Sequence, residues 1–157
     1  MGITLQFYSG DAKRIMDDVA NSTRSYLDAL VVRGRHADFS LHLIPNDLGY
    51  LTEIACRRLS RPLTTLREHL LLDSPHVDEP DRGAYLVDRE WVNIFAQNDL
   101  RSAKELTDEW FALMRRVYVD EELLSSSDAA DAVSDLISLC KVASSNAEDE
   151  IVHVWFG

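Results

Sequence analysis

Apolar residues recur in this chain with two different periods, and the order in which those periods alternate limits what it can fold into. Ile3, Leu5 and Phe7 alternate with Thr4, Gln6 and Tyr8, the spacing of a strand with one face on a core. Ser9-Gly10-Asp11 interrupts that pattern and supplies a helix cap. Ile15, Met16 and Val19 then share a helical face to about residue 21. A second helical stretch, from about residue 23 to 32, uses Tyr26, Leu27 and Leu30, and Gly34 ends it. Phe39, Leu41 and Leu43 alternate with Ser40, His42 and Ile44, which predicts a second strand stopped by Pro45. Asn46-Asp47 caps a helix on Leu48, Leu51, Ile54, Ala55 and Leu59. Pro62 suits the first turn of a continuation through Leu63, Leu66 and Leu70.

Residues 73–83, with prolines at 75 and 80, read as a loop. Ala84-Tyr85-Leu86-Val87 predicts a short buried strand. Asp88 then caps a helix with Trp91, Val92, Phe95 and Ala96 inward. Asp99 caps a longer one, in which Leu100, Ala103, Leu106, Trp110, Leu113, Met114 and Val117 form a continuous stripe. Another helix is expected over residues 127–143 on Val133, Leu136, Ile137 and Cys140. The run from Ile151 to Phe156 is rich in β-branched and aromatic residues and predicts a closing strand, with His153 on its less buried face. The expectation is an α+β fold: a helix-rich single domain over residues 1–157 with a small sheet of about four strands. A chain of 157 residues buries roughly two-thirds of its unfolded surface, enough for its own core.

Motifs that would carry catalysis are missing. Glycines at 2, 10, 34, 49, 83 and 157 never cluster as a phosphate-binding loop requires, and no Gly-x-Ser-x-Gly elbow exists. Ser125-Ser126-Ser127 reads as the end of one helix and the cap of the next. His36, Asp38 and His42 would share a face of an extended segment, and His69, His76 and Asp78 form a second loose group. Neither has metal-ligand spacing. Glu105, Asp108 and Glu109 lie opposite the Leu106/Trp110 stripe, as a solvated helix face does. Arg57, Arg58 and Arg61, with Arg67 nearby, form the one basic concentration and are expected to pair internally. Trp91, Trp110 and Trp155 each sit in an apolar pattern and read as core. Cys56 and Cys140 are far apart among apolar neighbours, as buried free thiols in a reducing compartment are. No export signal or long apolar run is present, so a cytoplasmic protein is expected.

Charge is distributed unevenly. The net charge is −11, which argues against nucleic acid or an anionic membrane as partner. Residues 1–118 hold 15 Lys/Arg against 18 Asp/Glu. Residues 119–150 hold only Lys141 against Asp120, Glu121, Glu122, Asp128, Asp131, Asp135, Glu148, Asp149 and Glu150. Like charges repel, and folding does not need them there. They suit a solvated face that keeps the protein soluble, or a surface that steers a basic protein partner.

Met1-Gly2 stands before a short strand and helix, Tyr85-Leu86 before the Glu90/Val92 helix, then come Glu105-Leu106 and a hydrophobic closing strand after a helix. In these features the chain resembles the YfbM-like family of small bacterial proteins of unknown function. The segment from Phe39 to Leu72 departs from it. The resemblance implies a bacterial cytoplasmic α+β protein and supplies no catalytic residue.

These observations predict a non-enzymatic protein-binding module without cofactor or metal. Its sharpest form is an immunity- or antitoxin-like protein that neutralises a basic toxin, with the nine acidic residues just named as the partner-binding surface. A homo-oligomer is compatible with the same sequence. The alternative is an enzyme or small-ligand binder with a His/Arg-lined pocket, which a cleft holding His42, His69 or Arg57 would favour.

Overall fold

The computed structural model describes residues 4–41, 43–62 and 72–157. Among the described residues five strands, β1 (Thr4–Gly10), β2 (His36–Asp38), β3 (Leu72–Glu79), β4 (Arg82–Leu86) and β5 (Glu150–Phe156), form one antiparallel sheet in the order β2-β1-β5-β4-β3. Among the described residues six α-helices accompany it: α1 (Ala12–Ala20), α2 (Ser25–Leu30), α3 (Pro45–Arg58), α4 (Arg89–Gln97), α5 (Ala103–Val117) and α6 (Ser127–Ser145). A 3₁₀ turn at Leu100–Ser102 leads into α5. The fold is therefore α+β and helix-rich, as the two apolar periods require.

The sheet is covered on both faces. Leu5, Phe7, Phe39 and Ile151 join α3, α4, α5 and α6 in the larger core. Tyr8, Ala84, Val152 and Val154 meet Ile15, Val19, Leu27 and Leu30 of α1 and α2 on the other side. Alternate residues of β1 and β5 consequently enter two different cores, and neither strand has a solvated face. This overturns the expectation for His153: it is 1% exposed, its ring tilted against Phe7 with centroids 4.7 Å apart. Burial pushes its pKa down to about 4, against a smaller opposing effect of a backbone hydrogen bond to Gln6. Its Nδ1 has no hydrogen-bond partner among the described residues.

Three α-helix starts are set by the side chains expected to set them; Asp99 caps the 3₁₀ turn and not α5 itself, and α3 starts at Pro45, ahead of the expected Asn46-Asp47 cap. Asp11 accepts from the Arg14 N–H, Asp88 from Glu90, Asp99 from Arg101, and Ser126 from Ala129, each satisfying a donor the helix cannot. Asp18 performs a similar task between elements. Its carboxylate, 8% exposed, accepts the N–H groups of Tyr26 and Leu27 and the Thr23 hydroxyl, tying α1 to the start of α2. Burial alone would raise its pKa, and these hydrogen bonds hold it below the ordinary carboxylate value.

Three local expectations need correction. The second strand is His36–Asp38, paired with β1 through Tyr8↔His36, while Phe39 and Leu43 are buried outside any strand. Residues 73–83 are no loop: they hold most of β3 and the start of β4, an edge hairpin closed by Glu79↔Arg82, which makes the sheet five strands. Val117 ends the α5 stripe half in solvent, at 44% exposure. Leu63, Leu66, Leu70, His42, His69 and Arg67 lie outside the described residues. Gly34 has φ +82, a backbone conformation open to glycine at little cost.

Candidate functional site

The nine acidic residues occupy three places. Asp120, Glu121 and Glu122 lie in the connector between α5 and α6. Asp128, Asp131 and Asp135 lie on the first half of α6, and Glu148, Asp149 and Glu150 sit past its end. A 19-residue helix is about 28 Å long, so the first and last groups are separated by its full length.

The last group is engaged with the fold. Asp149 pairs with Arg35 at 3.7 Å and accepts from the Asn146 amide, while its carbonyl accepts from Arg89. The same guanidinium donates to the Ala143 carbonyl at 2.7 Å, satisfying the C-terminal end of α6. In the middle group, burial raises the pKa of Asp135, helped by Asp131 and opposed by His36 and Arg33.

The connector is different. From residue 117 to 140 the chain has six acids and no Lys or Arg. Val119 is 82% exposed and Leu124 73%, with Ile44 at 45%. These side chains flank Asp120, Glu121 and Glu122, all exposed. The backbone beneath them is held. Tyr118 N–H donates to the Met114 carbonyl at 2.8 Å, Glu121 N–H to Tyr118, and Leu123 N–H to Glu121. The Arg115 guanidinium grips the Leu123 carbonyl at 3.0 Å, and Ser125 Oγ donates to Asp108.

Under the connector lies a cavity of about 170 Å³ lined by Leu43, Ile44, Asp47, Met114, Tyr118, Glu121 and Leu123. Asp47 is 6% exposed. Its carboxylate accepts the Tyr118 hydroxyl at 2.8 Å and the Ile44 N–H at 2.9 Å. Its carbonyl accepts the Trp110 indole N–H at 2.9 Å. Tyr50 meets Tyr118 edge-on, with centroids 6.3 Å apart. Burial, then the hydrogen bond to Asp47, pushes the Tyr118 pKa up to about 12, so the phenol keeps its proton.

Two larger cavities, of 390 and 400 Å³, flank the ends of β4 and β5 and share Leu86 and Glu150. Among the described residues none of these three cavities has a histidine in its lining. The arginine group pairs internally as expected: Arg57 with Glu53, Arg58 with Glu105 and Glu109, and Arg61 with Gln97. Among the described residues no group of three His, Cys, Asp or Glu side chains could hold a metal ion. No described helix is long and apolar enough to cross a membrane.

Sequence reasoning missed the exposure of Val119 and Leu124 and the Tyr118–Asp47 pairing. The first had a signal: both residues fall where the helical period of α5 has ended, so no face was available to bury them. The second joins residues 71 apart, which periodicity does not reveal. No protein-family model, no curated protein and no solved structure matches this chain.

Proposed function

We propose that this chain is a protein-binding module that docks a basic partner on the connector between α5 and α6. The observation that carries the reading is the pairing of Val119 and Leu124, both largely in solvent, with Asp120, Glu121 and Glu122 in a stretch without a cation. Exposed apolar side chains next to like charges have the composition of a binding surface: the apolar groups supply affinity and the charges supply steering and selection. The sharpest form of the proposal is an immunity- or antitoxin-like protein whose acidic surface covers a basic region that a toxin needs for its own substrate. Of the nine acids, the connector group is the epitope, with Asp128 on its border. Glu148 and Glu150 are too far along α6 to join it.

The test begins with a protein retained by the tagged full chain at low salt and released as salt rises. Both proteins are then purified and their association measured. Val119→Ser with Leu124→Ser should weaken binding at least tenfold, because loss of apolar burial worth about 1–2 kcal/mol per side chain outweighs one decade of affinity. Asp120→Lys with Glu122→Lys should slow association and flatten its salt dependence. Glu148→Lys with Glu150→Lys should change neither affinity nor rate by more than about twofold. A partner that ignores the connector variants and responds to the Glu148/Glu150 pair refutes the reading.

A further inference from the structure

The connector cavity has chemistry that the exposed surface above it lacks. Its walls are apolar at Leu43, Met114 and Leu123. Its lining includes a buried carboxylate, Asp47, and its rim an exposed one, Glu121. Neither has a salt-bridge partner among the described residues. Asp47 is satisfied by one hydroxyl and one backbone N–H, and each carboxylate oxygen can accept more than one bond. Arg115, in the last turn of α5, is committed to the Leu123 carbonyl and acts on Asp108. A buried negative charge without a positive partner is costly, and a cation entering the cavity would relieve it.

Size narrows the ligand. Pockets for drug-sized molecules span about 300–1,000 Å³, and this one has about 170 Å³, room for roughly five or six waters. That excludes a nucleotide and suits one long side chain.

We propose that this cavity is the anchor site for a single arginine side chain of the partner. The aliphatic stem would lie on Leu43, Met114 and Leu123, and the guanidinium would sit between Asp47 and Glu121 beside the Tyr118 ring. A planar fork with five donors suits two separated carboxylates and an aromatic neighbour better than a compact ammonium does. The inference rests on the docking reading above and names the group that the connector recognises.

The test uses the full chain and n-butylguanidinium chloride, with n-butylurea as the neutral isostere, followed by amide chemical shifts. Butylguanidinium should move the amides of Ile44, Asp47, Tyr118, Glu121 and Leu123 saturably, and butylurea should leave them in place. Glu121→Lys, an exposed substitution that leaves the fold alone, should weaken the effect at least threefold. Equal shifts with butylurea overturn the proposal, as do shifts spread evenly over Asp128, Asp131 and Glu148. The two readings fail separately. A partner that needs Val119 and Leu124 while butylguanidinium ignores the cavity sinks the anchor and keeps the docking surface. Butylguanidinium seated in the cavity of a protein whose partner ignores Val119 and Leu124 does the opposite.

Discussion

His153 should make this protein sensitive to mild acid, by an amount the structure allows to be worked out. The ring is 1% exposed, packed against Phe7, and its Nδ1 has no partner among the described residues. Protonation would put a charge and an unpaired donor into an apolar layer, so the folded pKa falls to about 4 from an ordinary 6.5. The unfolded chain then binds the proton more readily than the folded one. Stability from this group is complete above pH 6.5, declines as pH falls, and stops declining near pH 4. The whole shift corresponds to about 3 kcal/mol, and the part lost between pH 7.5 and 5.0 is about 2 kcal/mol. Against a typical total of about 5–15 kcal/mol, that is a large fraction. Carboxylates and the half-buried His36 titrate in the same samples, so the useful quantity is the difference from a chain lacking only this imidazole. Urea unfolding of the wild type and His153→Leu, followed by tryptophan fluorescence at both pH values and constant ionic strength, isolates it. The wild type should lose about 2 kcal/mol more than the variant. Equal losses, within about 0.5 kcal/mol, would mean that the folded protein accepts the proton at an ordinary pKa, and the argument from burial would fall.

Two further outcomes follow from packing. A Cβ at Gly83 would lie 2.1 Å from Nε1 of Trp155, its cross-strand partner, so Gly83→Ala must expel the indole from the strand surface. It should cost about 1–3 kcal/mol in denaturant unfolding, and a smaller loss would show that Trp155 repacks freely. Burial raises the pKa of both Cys56 and Cys140, so neither thiol should react with an aromatic disulfide reagent at pH 8 until the chain is unfolded. Rapid labelling of the native protein would contradict the placement of these side chains.

The helices were legible because their ends are chemical. Asp11, Asp88, Asp99 and Ser126 can be read as caps from sequence, and each accepts the N–H that a helix start leaves open. Strands were harder. β2 has only Ala37 as an inward apolar residue, and three residues give no period to detect. β3 carries Pro75 and has a register shift between Leu72 and Val77. An edge position tolerates both, although either would argue against a central strand. His153 was misplaced because alternation reports two environments without saying which is wet, and here both are dry. The acidic residues were visible one by one. Their division into three groups depends on the length of α6 and on Arg35 and Arg89 engaging Asp149, which charge counting does not show.

β1 and β5 pair along their whole length at the centre of the sheet, from Gly10↔Glu150 to Thr4↔Phe156. The loop that this pairing closes spans about 140 residues, and the length-dependent part of its closure entropy alone is about 4 kcal/mol. During synthesis, while β5 is still inside the ribosome, β1 with β2 and β4 with β3 are two ribbons without a seam. Each presents an unpaired edge to whatever is nearby. The central strand is the last to arrive, so the protein cannot complete its sheet piecemeal as it emerges. The seam between the two ribbons closes only once translation has delivered Phe156.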